Sequence, residues 1–190
     1  MILSITHRII PFGMAMSDIN SQYLFFWGHT DKSGAKKVLS NWFPCEFTDP
    51  ITNLSYTSME QYMMHEKAQL FSDTFSANSI MDTHSPKMSK DLGRKVIGFL
   101  DDIWKQNAQQ IVTNGCYLKF SQNPELKQYL LSTGDKILAE ASPFDKLWGI
   151  GMREYYAKKT DPDLWPGTNW LGKCLIDVRE KLKTEDTESP

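Results

Sequence analysis

Apolar residues along this chain fall in short runs between polar breaks, and their spacing changes from strand-like to helical near residue 58. Tyr23-Leu24-Phe25-Phe26-Trp27 is an unbroken aromatic and aliphatic run that predicts a strand. Gly28 to Gly34 reads as a polar turn. Asp49-Pro50 and Asn53 mark a second turn before Leu54-Ser55-Tyr56. Ser58-Met59-Glu60-Gln61 is a capping box and starts a helix that runs to about Ser72. Further helices are predicted over Lys90–Phe99 and over Ile103–Lys119, the latter with Ile103, Ile111 and Leu118 toward the core. Asn123-Pro124 opens another helix, ending at Gly134, because proline suits the first helical position. Lys136 to Glu140 reads as a short strand, and Trp148-Gly149-Ile150-Gly151 as a loop. In the last helix, Asn169–Lys183, the residues Leu171, Leu175, Val178 and Leu182 recur at helical spacing and form one apolar face. The pattern predicts an α+β, mainly α-helical single domain with a small β element near its N-terminal third. Residues 1–20 are expected as an N-terminal extension, 21–183 as the domain and the polar residues 184–190 as a disordered tail.

Composition narrows the classes. A chain of 190 residues can bury a core and still line a pocket. A net charge of −2 argues against a broad phosphate-tracking surface but allows a small nucleotide site. Three separated cysteines without a Cys-x-x-Cys, and four histidines without ligand spacing, argue against a disulfide framework and a zinc site. No cofactor or metal is expected, and a chelator is expected to leave activity intact. His7 and Arg8 interrupt the N-terminal apolar run, and no stretch has the ~20 apolar residues of a membrane span. Cytoplasm or nucleus is the expected location, with no membrane and no obligate protein partner.

Three constellations carry candidate chemistry. Glu60 and Lys67, seven residues apart on one helix, share a face at a separation of about 10.5 Å along the axis. Met63 and Met64 lie between them, which suits a pocket wall. A carboxylate there could stabilise an oxocarbenium-like ribose or activate water; a lysine of lowered pKa could attack it or form an imine. The plain alternative is a dipole-complementing acid and a surface cation. Asp145 with Trp148 and Gly149 could grip a nucleotide, or form a tight turn around a core tryptophan. Ser40-Asn41-Trp42-Phe43-Pro44 could hold a base edge, or close a strand with packed rings. Arg94 and Lys119 are possible phosphate partners, though either could equally be a solvated charge.

Taken in order, these segments resemble the NADAR (YbiA-like) family. The matching pieces are Leu39-Ser40-Asn41-Trp42-Phe43-Pro44, Ser58-Met59-Glu60-Gln61-Tyr62 with Lys67, Leu92-Gly93-Arg94, Trp104, Lys119-Phe120, and Asn123-Pro124-Glu125-Leu126. They continue through Leu130 to Gly134, Glu140, Asp145, Trp148-Gly149-Ile150-Gly151, Gly167 to Gly172, and Val178-Arg179. The resemblance spans roughly residues 23–183 and implies the YbiA-like fold and N-glycosidase chemistry in NAD and ADP-ribose metabolism. Some members cleave a ribosylated pyrimidine intermediate of riboflavin synthesis; others remove ADP-ribose from guanine in nucleic acid. It implies an ADP-ribosyl glycosidase here, acting on ADP-ribose or an ADP-ribosylated nucleotide or nucleic acid. Lys67, Glu60 and Asp145 would be catalytic. Asn41, Ser40, Phe43, Arg94, Trp104, Lys119, Trp148, Gly149 and Asn169 would bind substrate. Two departures stand out. Gln61 replaces a histidine common in the family, which puts substrate preference in question if that histidine touches substrate. The longer segment from Met152 to Pro166 is expected to reshape the pocket mouth.

Overall fold

The structure is a computed structural model that describes residues 21–188. Strand β1 (Tyr23–Phe26) is followed by a 3-10 segment, Asp31–Leu39, kinked at Gly34, and by a small antiparallel ladder of β2 (Phe47–Thr48) and β3 (Ser55–Tyr56). Helices α1 (Met59–Leu70), α2 (Thr74–Met81), α3 (Pro86–Gly93), α4 (Asp101–Gln122) and α5 (Pro124–Ser132) come next. Strand β4 (Ile137–Glu140), a short α6 (Glu154–Ala157), a 3-10 turn at Pro162–Leu164 and α7 (Trp170–Glu188) complete the chain. The expected α+β, mainly helical architecture is what forms.

β1 and β4 pair in parallel, with Phe26 opposite Glu140. Side chains alternate across a strand. Leu24, Phe26 and Leu138 therefore face the main core, while Tyr23, Phe25 and Ala139 join a smaller cluster with Ile150, Ala157 and Trp165 on the other side. Glu140 follows the parity of Leu138 and points to the core side.

Helix α1 is the centre of the molecule. Residues 59 to 65 are buried without a break, so the usual one-sided apolar stripe is missing. Ser58 Oγ accepts from Gln61 N at 3.2 Å, as the capping box predicts. The Gln61 side chain reaches one residue further back than usual, accepting from Thr57 N at 2.8 Å. Two glycines let neighbours press against α1. A Cβ on Gly93 would lie 2.1 Å from Met64 Sδ, and one on Gly115 would lie 2.4 Å from Tyr62 Cδ1.

Several boundaries differ from the sequence reading. The helix expected over Lys90–Phe99 is α3, set earlier by the Ser85 cap and by Pro86 in its first turn. Helix α2 was not expected. Its Asp73 cap accepts from Ser76 N at 3.0 Å and from Ile97 N at 2.8 Å, so it also holds the loop after α3. Ile103 is 38% exposed and is not core, while Trp104, Ala108, Val112, Cys116 and Phe120 form the buried face of α4. Ile111 and Leu118 are half-buried at its margin. Residues 184–188, expected in the tail, are helical. They are tied down by Tyr117 Oη donating to Glu185 at 3.0 Å and by the Lys127–Asp186 pair at 2.5 Å. The expectation for residues 1–20 lies outside the described residues.

The close approach at Gly115 makes a prediction. Gly115→Ala has to push against an aromatic ring, which should outweigh its gain in helix propensity. It is expected to lower unfolding free energy by about 1–3 kcal/mol, read as a lower denaturant midpoint with an unchanged slope.

Candidate active site

Beside the N-terminal half of α1 lies a cavity of about 250 Å³. Glu60, Met63, Met64 and Lys67 form one wall, so the seven-residue spacing does place both charged side chains on it. Lys90 and Arg94 come from the region of α3, and Trp104 comes from α4. Ser40, Asn41 and Trp42 close one end. Glu140, Asp145, Leu147 and Trp148 close the opposite side.

The loop at Asn41 is held by its backbone and from below. Asn41 O accepts from Glu60 N at 2.8 Å, coupling the loop to the start of α1. Lys119 is 1% exposed, and its Nζ donates to Val38 O at 2.6 Å and Ser40 O at 3.0 Å. Burial pulls this ammonium below the usual lysine range. Lys119, expected as a phosphate partner, is instead an internal clamp on the last carbonyls of the 3-10 segment, acceptors that a helix end leaves unmet. Phe43 packs against the main core and does not line the cavity.

Asp145 is fixed by its own loop: Oδ1 accepts from Leu147 N at 2.9 Å and Trp148 N at 2.7 Å. Gly149 and Asn169 also lie off the cavity wall. Gly149 is needed for close backbone approach, since a Cβ there would sit 2.8 Å from Glu140 O. Asn169 adopts φ 54°; its Oδ1 accepts from Glu140 N at 3.0 Å and its Nδ2 donates to Leu138 O at 2.8 Å. It locks the start of α7 to β4 and so aims Glu140. The loop glycines and Asn169 are scaffold for the acids. Gln61 is turned away, with Nε2 donating to Ile80 O at 3.2 Å and Thr83 O at 2.8 Å. This departure from the family pattern does not face the cavity. The segment 152–166 contributes no wall residue either, because Trp165 packs on Tyr23 and Phe25 at ring distances of 5.1 and 5.7 Å.

Glu60 is 3% exposed, and burial pushes its carboxyl up to about 7, only partly opposed by Lys90 and the Trp42 indole. Glu140 is only half-buried as a residue, but its Oε2 is shut off from solvent. Burial, then the nearby charges of Asp145 and Glu60, push it to about 8. Four buried side-chain polar atoms among the described residues lack a partner. Three of them are the cavity acceptors Asn41 Oδ1, Glu60 Oε1 and Glu140 Oε2. Buried polar atoms are rarely left unmet, so these three mark the cavity as a candidate ligand site. Lys67 Nζ donates to Gly93 O at 2.8 Å and lies over the rings of Phe99 at 4.1 Å and Trp104 at 5.7 Å. Burial, and then Arg94, hold it below the usual lysine range. No group of three or more potential metal ligands occurs among the described residues.

Sequence reasoning did not select Glu140 or Lys90 as site residues, and it named Trp42 only within the segment that could hold a base edge. The available signals were an acid closing an apolar strand and the Lys90–Arg94 spacing of one helical turn.

The NADAR domain pattern matches residues 25–183. The chain is 43% identical over 163 residues to the N-glycosidase R617 of Acanthamoeba polyphaga mimivirus, an alignment covering 84% of this chain and 96% of that protein. It is 28% identical over 167 residues to the riboflavin biosynthesis protein VVA0006 of Vibrio vulnificus, covering 88% of this chain and 40% of that one. The NMR structure of the Escherichia coli protein YbiA has the same fold, with a TM-score of 0.69 and 23% identity over 93% of this chain and 98% of the other.

The two raised carboxyls carry a stability consequence with a definite sign. Between the unfolded value near 4.5 and the folded values of about 7 and about 8, the folded protein binds more protons than the unfolded one. Stability therefore falls as pH rises through that window. Glu140→Gln is expected to raise the melting temperature at pH 8 by more than at pH 5. Equal shifts at the two pH values would show that Glu140 ionises as freely in the folded protein as in the unfolded chain.

Proposed function

The chain belongs to the NADAR domain family, and on that premise we propose that it is a hydrolase of N-glycosidic bonds that removes ADP-ribose from guanine in nucleic acid. The observation that carries the reading is Glu60: a buried carboxyl with an unpartnered oxygen, poised near neutrality and sharing a cavity with Asp145, Glu140 and Lys67. A base leaves ribose only as it gains a proton. An acid held at about 7 is still about half protonated at neutral pH and can supply one. The name of the mimiviral relative, an N-glycosidase, agrees with this chemistry.

In the proposed sequence, the neutral Lys67 amine adds to ribose C1 as the C1–base bond breaks, and the base departs carrying the proton from Glu60. The Glu60 carboxylate then takes a proton from the attached nitrogen and passes it to the ring oxygen, the C1–O4′ bond breaks, and the open-chain ribose is left as an imine on Lys67. Water then hydrolyses the imine, restoring the amine and leaving the sugar aldehyde, which closes to free ADP-ribose. Burial, and then Arg94, hold Lys67 below the usual lysine range, which enlarges the share of neutral amine available for attack. Asp145, oriented by two backbone N–H groups, stabilises positive charge at C1. Ser40, Asn41 and Trp148 hold the sugar and base, and Arg94 and Lys90 meet phosphate.

A second reading has one observation in its favour. A cavity of about 250 Å³ with Lys90 and Arg94 on its wall suits one ribosylated base and one phosphate. A ribosylamino-pyrimidine phosphate is such a compound, and the Vibrio relative is named for riboflavin biosynthesis.

The test is incubation with guanine-ADP-ribosylated oligonucleotide, with release read by mass spectrometry. The wild type is expected to release ADP-ribose. Glu60→Gln should lower kcat by about 10²–10⁴-fold, and Lys67→Ala should release none. The rate should fall as pH rises past the carboxyl values of about 7 and about 8, and fall again at low pH as Lys67 becomes protonated. Borohydride should trap the sugar on wild type but not on Lys67→Ala. Rapid turnover by Lys67→Ala would leave carboxylate-assisted hydrolysis by water. Turnover of the pyrimidine phosphate alone would establish the second reading, and ADP-ribose affinity without turnover of either substrate would mean a binding module.

A further inference from the structure

A second groove lies across the β1–β4 pair from the cavity. Its volume is about 520 Å³, and Trp27, Lys32, Lys36, Ala141 and Arg153 are among the residues that line it. The two sites share a wall. Residues 140 to 145 run between them, with Glu140 and Asp145 in the cavity and Ala141 in the groove. Strand alternation sends the neighbours Glu140 and Ala141 to opposite sides, and Ala141 N bonds Phe26 O at 2.8 Å to fix that geometry.

The groove combines two chemistries. Trp27, on the groove wall, is 45% exposed, and the ring of Phe144, which is 81% exposed and lies outside the groove lining, is 6.0 Å from it. Large aromatics left open to water next to a reactive site offer faces on which bases stack. Lys32 and Arg153 are exposed and form no ion pair among the described residues. The one acid in the groove, Glu154, lies between Lys36 at 3.7 Å and Lys158 at 2.6 Å, so its charge is offset within the protein.

We propose that this groove binds single-stranded nucleic acid flanking the modified nucleotide, with bases stacked on Trp27 and Phe144 and phosphates against Lys32, Lys36 and Arg153. This rests on the glycosidase reading and narrows its substrate to a nucleotide within a strand. Stacking uses the π-face that every base has, so the groove takes strands with little sequence preference. The contact is short, in keeping with a chain whose net charge of −2 excludes a broad basic face.

The test separates binding from chemistry. Fluorescence anisotropy is measured with an unmodified, labelled single strand of about twelve nucleotides, as DNA and as RNA. Wild type is expected to bind, with a log–log salt slope of about −2 for three phosphate contacts. Lys32→Glu with Arg153→Glu should weaken binding at least about tenfold. Trp27→Ala and Phe144→Ala should each weaken it about tenfold. The double charge reversal should also raise KM for the ADP-ribosylated oligonucleotide while leaving turnover of an ADP-ribosylated mononucleotide unchanged, which doubles as a folding control. Wild type that does not bind the strand, or a double variant that binds it as tightly, overturns the proposal, as does equal loss on both substrates. Strand binding without turnover of either substrate would support the groove and remove the glycosidase.

Discussion

A helix buried on every side has to dispose of its own polar side chains, and α1 is such a helix. Each polar residue in its buried stretch has a different answer. Gln61 is consumed by backbone groups of Thr57, Ile80 and Thr83, and His65 Nδ1 bonds Tyr56 Oη at 3.0 Å. Only Glu60 keeps an oxygen with no partner. The rest of the site follows from that contrast. Gly93 and Gly115 let neighbours of α1 pack closely against Met64 and Tyr62, while Glu60, Met63, Met64 and Lys67 still line a cavity with a ring of polar side chains. Burial that would be a fault in a core raises the pKa of Glu60 and lowers that of Lys67, the kind of perturbation that marks a candidate site.

The acids are placed by devices outside the cavity. Asn169 bonds the β4 backbone at Leu138 and Glu140, Lys119 secures the carbonyls leading to Asn41, and the Asp145 loop closes on its own backbone amides. These contacts involve buried or half-buried groups with few alternatives. The preorganisation that a charge-stabilising site needs is thus distributed over elements far apart in sequence.

Much of this was legible before any coordinates, and the line between legible and hidden has a physical origin. Local chemistry announced itself: the serine cap of α1, the stripe of Glu60 and Lys67, and the apolar face of α7. Long-range placement did not. Lys119 read as a phosphate partner because nothing in its neighbourhood records that two carbonyls eighty residues away need a donor. Glu140 matters because β4 pairs with β1 and aims it, a relation no window of sequence contains. Helix α2 was missed because Thr74, Ser76, Asn78 and Ser79 weaken its pattern, and Asp73 rather than periodicity sets its start. The segment 152–166 lacked any mark of which face it would cover.

The parallel pairing of β1 with β4 also bears on how the protein is made. Phe26 and Glu140 are partners more than a hundred residues apart in the chain. The strand β1, rich in aromatic residues, has no mate until the more than one hundred residues between it and β4 have followed. Unpaired apolar edges are the segments most exposed to association during synthesis. The same pairing holds Glu140 on the side of the sheet where Glu60 lies. An unpaired aromatic edge and an incomplete cavity wall are therefore two aspects of one unfinished contact.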